Sequence, residues 1–392
     1  MSGTEDSSDR AVTLDELAAD MIARGVRRVH TMAWRDLDDP DAGGSEVHAD
    51  EFMRRWAAAG LEITHRTSSA VGLPAQAQRN GYRVVRRGSR YSVFPRTVLA
   101  EMTHRAGPRD ALVEIWNGVP WFSPVWCRSP RITFLHHVHG PMWDQMLPAP
   151  FAGFGRALEA RIAPPFYRRT QMVTPSEATR EELIELGFDP GRVIAVENGV
   201  SSAFTPGGAK SGAPLVVAVG RLAPVKQFDA MIRAAIVARR RVPDLRLDIV
   251  GSGPMETSLR ALVAAEGAGE WITFVGQVSH DQLVDRYRRA WLVSSASIAE
   301  GWGLTMTEAA ACGTAAVASD IRGHRSSVID GVTGVLAPVE RLGDVLADVL
   351  LDVERRDRLA AAALARARTL TWDASALGIL RVLHARVVAR TA

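Results

Sequence analysis

Short apolar runs alternate with amphipathic stretches along the C-terminal half of the chain. The runs indicate strands, and the stretches between them, with apolar residues at helical spacing, indicate helices. The predicted strands are 215–219, 245–250, 271–275, 291–295 and 315–318. The predicted helices are 228–241, 255–265, 281–289 and the segment that carries Glu308. Because the strands are apolar on both faces, this order predicts a parallel sheet covered by helices, which is a doubly wound α/β domain.

The N-terminal half repeats the pattern less regularly. Its predicted strands are 29–33, 61–66, 111–115, 132–135, 171–173 and 193–196, and its predicted helices are 45–58 and 177–186. A segment rich in Gly, Pro and Ser at 200–214 is typical of a linker. We therefore predict two doubly wound Rossmann-like domains, at 1–200 and 201–371. Helical spacing also appears at 14–22, where it indicates no role, and an amphipathic helix is predicted at 372–388.

The composition is that of a globular protein with two domains. The 392 residues are 47% apolar and 23% charged, which is the usual balance in soluble proteins. The chain has no apolar run of about 18 residues and no secretory signal, so we expect no membrane span. Its two cysteines have no metal-ligand spacing and form at most one bridge, which favours a reducing, cytoplasmic location.

Positive charge is concentrated in one N-terminal stretch, although the net charge is only +3. The arginines of this stretch are Arg83, Arg86, Arg87, Arg90 and Arg96. One interpretation is contact with an anionic membrane surface or a phosphorylated acceptor. The other is a solvated face, and the sequence leaves both open. Nothing in the chain resembles a nucleic-acid-binding module, and the sequence does not indicate the oligomeric state.

Two glutamates flank a glycine-rich turn that leads into a helix. Glu300 lies beside Gly301 and Gly303, and Glu308 precedes a run of small residues at 309–313. A carboxylate in so tightly packed a helix is costly unless it is hydrogen-bonded or faces a polar ligand. The pair predicts acceptors for hydroxyl groups beside amide donors for an anion, which suits a sugar attached to a diphosphate. The alternative is two ordinary solvated charges.

Two further loops follow predicted strands in the positions where doubly wound sheets bind ligands. The loop at 220–226 carries Arg221 and Lys226, whose charges can neutralise a diphosphate. Individually, both are typical surface charges. The loop at 41–46 has Gly43 and Gly44 at the start of a helix, where backbone can approach a phosphate, although Ser45 there could serve only as a helix cap.

Two groups of residues have spacings that suggest a metal site. His136, His137 and His139 end a predicted strand, but no carboxylate or cysteine nearby completes a zinc site. Asp36 and Asp38 have the spacing of an Asp-x-Asp metal motif, yet the two basic groups already available to a diphosphate make a cation unnecessary. We therefore predict no metal site and no cofactor.

These motifs resemble those of retaining glycosyltransferases with the GT-B fold, the large glycogen-synthase-like family often called family 4. The usual signature of that family is close to Pro-Ser-x-x-Glu-Gly-Phe-Gly-Leu-x-x-x-Glu-Ala-x-Ala-x-Gly. Ala296 and Trp302 replace the proline and the phenylalanine, while both glutamates and both glycines are retained. The family pattern Gly-Arg-Leu-x-x-x-Lys matches residues 220–226, and the first-strand glycine loop matches Gly43 and Gly44.

The resemblance implies a site. The implied catalytic residues are His136, Glu300, Arg221 and Lys226. The implied donor-binding residues are Gly43, Gly44, Gly220, Arg221, Lys226, Gly253, Val278, Glu300, Gly301, Trp302, Gly303, Leu304, Thr305 and Glu308. Glu308 would hold ribose hydroxyls and Glu300 sugar hydroxyls. His136 aligns best with the family's strand-end histidine, but His137 and His139 remain alternatives, since a slip of one residue reverses the side-chain direction.

The resemblance also implies a function. The chain would move a sugar from a UDP- or GDP-linked donor to a hydroxyl acceptor, with retention and without metal, and its terminal helix would cross back onto the N-terminal domain. The acceptor could be a small metabolite, a natural product or a lipid-linked sugar, the last at the inner membrane face. A nicotinamide-dependent oxidoreductase is disfavoured because no Gly-x-Gly-x-x-Gly follows the first strand. A non-catalytic nucleotide-sugar binding protein stays open.

Overall fold

A computed structural model describes residues 12–391 of the chain. The strands are β1 (Arg28–Met32), β2 (Glu62–Thr67), β3 (Gln76–Arg79), β4 (Tyr82–Arg86), β5 (Ala111–Trp116), β6 (Arg131–Leu135), β7 (Gln171–Thr174), β8 (Val193–Ala195), β9 (Leu215–Val219), β10 (Arg246–Val250), β11 (Ile272–Gly276), β12 (Leu292–Ser295), β13 (Ala315–Ser319) and β14 (Gly334–Ala337).

The helices alternate with these strands. They are α1 (Leu14–Ala23), α2 (Gly44–Ala58), α3 (Val93–Met102), α4 (Ser123–Trp126), α5 (Trp143–Met146), α6 (Ala149–Ala157), α7 (Pro164–Tyr167), α8 (Glu177–Glu185), α9 (Phe228–Arg239), α10 (Glu256–Ala265), α11 (His280–Arg289), α12 (Leu304–Ala311), α13 (Arg322–Ser327), α14 (Leu342–Leu351), α15 (Val353–Ala367) and α16 (Trp372–Thr391).

The strands form two separate sheets. The first has the order β3-β4-β2-β1-β5-β6-β7-β8, and the second has the order β11-β10-β9-β12-β13-β14. All neighbouring strands are parallel except β3 and β4. Each sheet has its own buried apolar core. The prediction of two doubly wound Rossmann-like domains is confirmed.

The apolar pattern predicted the central strands to within about two residues but missed other elements. The elements not predicted are β3, β4, β14, α3 to α7 and α13 to α15. β3 is a polar strand at the edge of the sheet, with no fully buried residue. β4 has two arginines among three apolar residues, and its last residue, Arg86, is only 1% exposed. A buried arginine gives the sequence no sign that the segment is a strand.

The buried position of Arg86 shows that the arginine stretch does not form one face, either solvated or anion-binding. Its guanidinium donates to Asp36 at 2.7 and 2.8 Å and to Asp38 at 2.7 Å, and Asp38 also pairs with Arg79. Arg86 is therefore not available to a membrane or an acceptor, whereas Arg83, Arg87, Arg90 and Arg96 are exposed. The two carboxylates serve ion pairs, and residues 12–391 contain no cluster of His, Cys, Asp or Glu suited to a metal ion.

The last helix, α16, belongs to the core of the N-terminal domain. It packs on α1 and α2 and contributes Leu380 and Leu383 to the first apolar core. The Trp56 indole of α2 donates to the Ala376 carbonyl oxygen at 3.0 Å. The chain therefore crosses between the domains twice, once after β8 and once before α16.

The two crossings lie side by side. Val200 donates from its backbone nitrogen to the Leu370 carbonyl oxygen at 3.0 Å. A Cβ at Gly199 would lie 2.2 Å from the Trp372 backbone nitrogen, so only glycine fits where the crossings touch. We refer to residues 199–200 and 370–372 as the hinge.

Cys127 and Cys312 are buried free thiols. Among the helices of residues 12–391, none has both the length and the apolar character needed to cross a membrane.

Candidate functional site

A half-buried ion pair marks the cleft side of the C-terminal domain. Lys226 ends a short 3₁₀ turn after β9, and Glu300 lies in the loop between β12 and α12. The Lys226 ammonium donates to Glu300 Oε1 at 2.5 Å, and the Ser297 hydroxyl donates to the same oxygen at 2.9 Å. Burial opposes ionisation of Glu300, but Lys226 and His324 outweigh it and hold its pKa below the ordinary value. Glu300 is therefore a carboxylate at neutral pH.

The turn from Glu300 into α12 requires its glycines. A Cβ at Gly301 would lie 2.4 Å from the His136 carbonyl oxygen of the other domain. Gly303 precedes α12 with a φ of 95°, a left-handed conformation that glycine adopts without strain. A Cβ at Gly323 would lie 2.1 Å from the Glu300 carbonyl oxygen. With these close backbone contacts, the amino end of α12 faces the cleft. The free backbone amides at that end favour an anion.

Glu308 lies on α12 and has a different environment from Glu300. Its carboxylate is half-buried and accepts a hydrogen bond from the Tyr287 hydroxyl of α11 at 3.1 Å. Burial raises the pKa of Glu308 to about 7, and the bond from Tyr287 only partly opposes this. The carboxylate oxygens of Glu308 could accept hydrogen bonds from two neighbouring hydroxyl groups, such as those of a ribose.

The N-terminal domain contributes the start of α2 to the same cleft. A Cβ at Gly44 would lie 3.1 Å from Leu304 Cδ1, so the amino ends of α2 and α12 lie against each other. The Gly43 amide already donates to Glu46 Oε2 at 2.8 Å. The predicted glycine loop therefore lies at the site, but one of its amides is used within the protein.

Basic groups surround this loop. Arg221 is exposed and its guanidinium lies 3.2 Å from Asp41 Oδ1, which makes an ion pair across the cleft. Arg35 donates to the Asp41 carbonyl oxygen at 2.5 Å and stacks over the Trp34 ring. Burial lowers the pKa of Arg35, although not enough to discharge a guanidinium. Arg35 is a third cation at the cleft that the sequence motifs did not indicate.

The histidines at the end of β6 point in different directions. His136 turns into the N-terminal core, where its Nε2 lies 3.3 Å from His48 Nδ1 and its ring packs on Phe134. His137 faces the other way: a Cβ at Gly301 would lie 3.6 Å from its Cβ, and the charges of Glu300 and Lys226 act on its ring. Burial lowers the pKa of His137 to about 3. The geometry favours His137 over His136 as the histidine beside the ion pair.

The other predicted donor residues have mixed environments. A Cβ at Gly253 would lie 2.6 Å from the Leu222 carbonyl oxygen, so this glycine is required by packing between loops. Val278 and Thr305 are half-buried, and Trp302 is buried with its indole nitrogen unpaired within residues 12–391. Gly220 follows β9 directly. The structure brings the residues from Glu300 to Glu308 together with Arg221, Lys226 and Gly44, whereas the roles of Gly253 and Val278 stay predictions.

Comparison with known families agrees with this arrangement. Residues 202–366 match the family model of glycosyl transferases group 1, and residues 42–204 match that of glycosyltransferase family 4. The chain belongs to the family 4 glycosyltransferases. This membership excludes the oxidoreductase interpretation.

The family 4 relatives include inositol phosphate enzymes. A D-inositol 3-phosphate glycosyltransferase of Thermomonospora curvata is 31% identical over 411 residues, which cover 90% of this chain and 93% of the relative. One of Kribbella flavida is 29% identical over 415 residues, covering 91% and 95%.

Solved structures share the fold at low identity. Sucrose-phosphate synthase from Thermosynechococcus elongatus has a TM-score of 0.78 at 20% identity, covering 93% of this chain and 100% of that one. HepE of Anabaena in complex with UDP and glucose has a TM-score of 0.71 at 16% identity, covering 92% and 100%. WaaG, a glycosyltransferase involved in lipopolysaccharide biosynthesis, has a TM-score of 0.72 at 16% identity, covering 91% and 99%. The GT-B fold and the glycosyltransferase class are therefore confirmed.

Sequence reasoning missed several contacts of this site. Ser297 occupies the serine of the quoted family signature, so the motif could have identified it. Tyr287, His324 and Arg35 lie outside any motif, and only the tertiary fold brings them to the two glutamates and the glycine loop.

Proposed function

We propose that this family 4 enzyme transfers a sugar from a nucleoside diphosphate sugar to a hydroxyl acceptor, with retention at the anomeric carbon and without a metal ion. The observation that carries the proposal is the ion pair between Lys226 and Glu300, located at the amino end of α12. It places a cation, a carboxylate and free backbone amides within one small volume. A diphosphate joined to a polyhydroxylated sugar needs these three groups together.

The donor would lie along α12. Arg221, Lys226 and the α12 amides would hold the diphosphate, Glu300 the sugar hydroxyls and Glu308 the ribose hydroxyls. UDP is the first nucleotide to test, because HepE was solved with UDP, with UDP-glucose and with UDP and glucose. GDP is the second candidate, since no contact among the described residues selects the nucleobase.

The chemistry would rest on charge stabilisation at the leaving group. The bond from the anomeric carbon to the phosphate oxygen breaks, and Lys226 and Arg221 stabilise the negative charge that develops on that oxygen. Loss of one such contact costs about 3–4 kcal/mol. The acceptor oxygen attacks from the same face and transfers its proton to the departing phosphate, so the configuration is retained.

His137 would position the sugar rather than act as a base. Its pKa of about 3 keeps the ring neutral at physiological pH, and its Nε2 is buried without a partner in residues 12–391. A neutral imidazole can exchange one hydrogen bond with a sugar hydroxyl. A retaining reaction needs no base on the opposite face of the sugar, which agrees with the weak basicity of this ring.

The acceptor is best sought with a panel. The names of the relatives make an inositol phosphate the first compound to test, followed by sugars, natural-product aglycones and lipid-linked sugars. The purified protein would be incubated with UDP-glucose and GDP-mannose in chelator, and both transfer and donor hydrolysis would be measured. Donor binding without transfer or hydrolysis would favour the non-catalytic alternative.

Two readouts test the mechanism. Loss of turnover in chelator, with recovery in magnesium or manganese, would contradict metal independence. A gluco-configured donor should give an α-linked product with a small anomeric proton coupling in NMR, and a large diaxial coupling would contradict retention.

A further inference from the structure

A cavity lined by arginines lies on the N-terminal domain, away from the cleft. It opens at the amino ends of β6 and β7 and has a volume of about 280 Å³. The cleft lies at the carboxyl end of β6, where the histidines follow the strand, so the cavity is at the opposite edge of the sheet. Its lining includes Arg128, Arg131, Arg169, Thr170, Arg386 and Arg390.

No carboxylate of the described residues compensates the charge of this cavity. Five arginines line it together with small and neutral polar residues, and no Asp or Glu takes part. None of the five arginines forms an ion pair with a carboxylate within residues 12–391, whereas arginines such as Arg86 and Arg109 do. Like charges brought together without a counter-ion destabilise a fold, unless an anion binds between them.

Buried polar atoms at the same place also lack partners. Thr170 is only 3% exposed, and its hydroxyl makes no hydrogen bond within the described residues. The Arg131 Nε is likewise buried and unpaired, while its Nη1 donates to the Cys127 carbonyl oxygen at 3.0 Å. Buried groups of this kind normally have a partner in the protein, in water or in a ligand. A hydroxyl and several guanidinium donors together fit an anion with several oxygen atoms.

We propose that this cavity is a second anion site, which binds a phosphate-bearing ligand independently of the sugar donor. Guanidinium groups match the geometry of phosphate oxygens and bind them in pairs. A volume of about 280 Å³ accommodates a phosphate, a diphosphate or a phosphorylated headgroup.

Two sources share this chemistry, a free phosphate compound and the headgroup of an anionic lipid. Exposed apolar side chains lie a few residues from the lining arginines in sequence. Val125 on α4 is 60% exposed and precedes Arg128, and Phe166 on α7 is 50% exposed and precedes Arg169. The Phe166 ring contacts that of Phe122 at a centroid distance of 5.5 Å, which joins the two short helices. A lipid headgroup in the cavity would have apolar surface beside it.

The ligand would also fix the end of α16. Arg386 and Arg390 come from the last turns of this helix, whereas Arg128, Arg131 and Arg169 come from the segments that lead into β6 and β7. Arg390 already donates to the Arg128 carbonyl oxygen at 2.9 Å, and an anion between the arginines would add attraction that holds α16 on the sheet. Binding should therefore raise the thermal stability of the protein.

The test compares two double variants of the full-length protein. R169Q/R386Q removes two charges from the cavity, and the control R341Q/R358Q removes two exposed charges from the C-terminal domain. Melting temperature is measured in pyrophosphate against chloride at equal ionic strength, with saturating UDP to occupy the donor site. Association with phosphatidylcholine vesicles is measured with and without phosphatidylglycerol. UDP binding is measured separately, so a failure of the proposed donor site is recognised on its own.

We expect the parent protein and the control to bind the anion, and R169Q/R386Q to bind it roughly tenfold more weakly or worse. A free phosphate ligand is supported if pyrophosphate raises the melting temperature in this variant-dependent way without vesicle binding. A lipid headgroup is supported if only the parent and the control bind the anionic vesicles. Equal responses in both double variants, or no response in either arm, would overturn the proposal.

Discussion

Glu300 and Glu308 are eight residues apart, yet their carboxyl groups differ in ionisation. Glu300 is paired with Lys226, which keeps it charged despite its burial. Glu308 has only the Tyr287 hydroxyl as a partner, so burial raises its pKa to about 7. The two glutamates differ in pKa because only Glu300 has a cation beside it. We therefore expect them to respond differently to pH and to substitution.

Donor binding should weaken as the pH falls through about 7. The Glu308 carboxylate accepts hydroxyl donors, and protonation at its pKa of about 7 removes part of that capacity. The diphosphate of a sugar nucleotide does not titrate in this range, and burial holds the pKa of His137 and of His324 below its usual value. Calorimetric titrations of UDP-glucose between about pH 5 and pH 9 would measure the effect. Glu308→Gln should remove the pH dependence, and an unchanged slope in that variant would contradict the assignment.

Lys226 should not be replaceable by arginine. The chain has only two lysines among its 47 basic residues. The Lys226 ammonium donates to Glu300 as a compact point charge, whereas a guanidinium is larger and planar. We expect Lys226→Arg to lower kcat/KM by roughly 10²–10³. Lys210→Arg is the matched control, because the Lys210 ammonium binds Gly313 and Thr314 away from the cleft. Equal activity of the two variants would show that the ion pair has no special role.

At the scale of elements, the apolar pattern predicted those strands that are buried on both faces of the sheet. The strand at 215–219 was predicted exactly, because each of its residues faces helices or neighbouring strands. β3 and β4 were missed, since one is a polar edge strand and the other buries Arg86. The sequence also could not predict that His137 faces the cleft. Which histidine does so depends on the register at the end of β6, since a shift of one residue reverses the side-chain direction.

The hinge should be sensitive to one added methyl group. A Cβ at Gly199 would lie 2.2 Å from the Trp372 backbone nitrogen, so Gly199→Ala must displace the start of α16. We expect a loss of unfolding free energy of about 1–3 kcal/mol or more. Gly212→Ala in the same linker region is the control, since a Cβ there meets nothing within 4 Å. Denaturant unfolding of both variants would measure the difference, and similar midpoints would argue against the contact.

At the scale of the molecule, the two domains touch across the cleft. Gly44 lies against Leu304, the His136 carbonyl lies against Gly301, and Arg221 pairs with Asp41. Beside the cleft, α8 also packs on α13, where Arg322 pairs with Glu182 and Glu185. An exposed ion pair contributes only about 0–1 kcal/mol. Each of these ion pairs between the domains is therefore weak on its own.

Gly301→Ala should separate donor binding from catalysis. A Cβ at this position would lie 2.4 Å from the His136 carbonyl oxygen, so the domains could not approach as closely. We expect a larger radius of gyration in X-ray scattering and a loss of turnover of about tenfold or more, because misplacement by about 1 Å is costly. UDP affinity should change much less, since the proposed nucleotide contacts lie on the C-terminal domain. Normal turnover in this variant would contradict the need for the contact.

The adjacent crossings at the hinge also bear on how such enzymes diversify. Because Val200 and Leu370 are joined by one hydrogen bond, the C-terminal domain leaves and re-enters the rest of the chain at a single place. The C-terminal domain is therefore an insertion in the N-terminal domain, and its two junctions are neighbours in space. A chimaera carrying residues 201–371 from a relative should therefore fold and adopt the donor preference of that relative, while keeping its own acceptor. Exchange at these two neighbouring junctions would then be enough to give the same acceptor a different sugar.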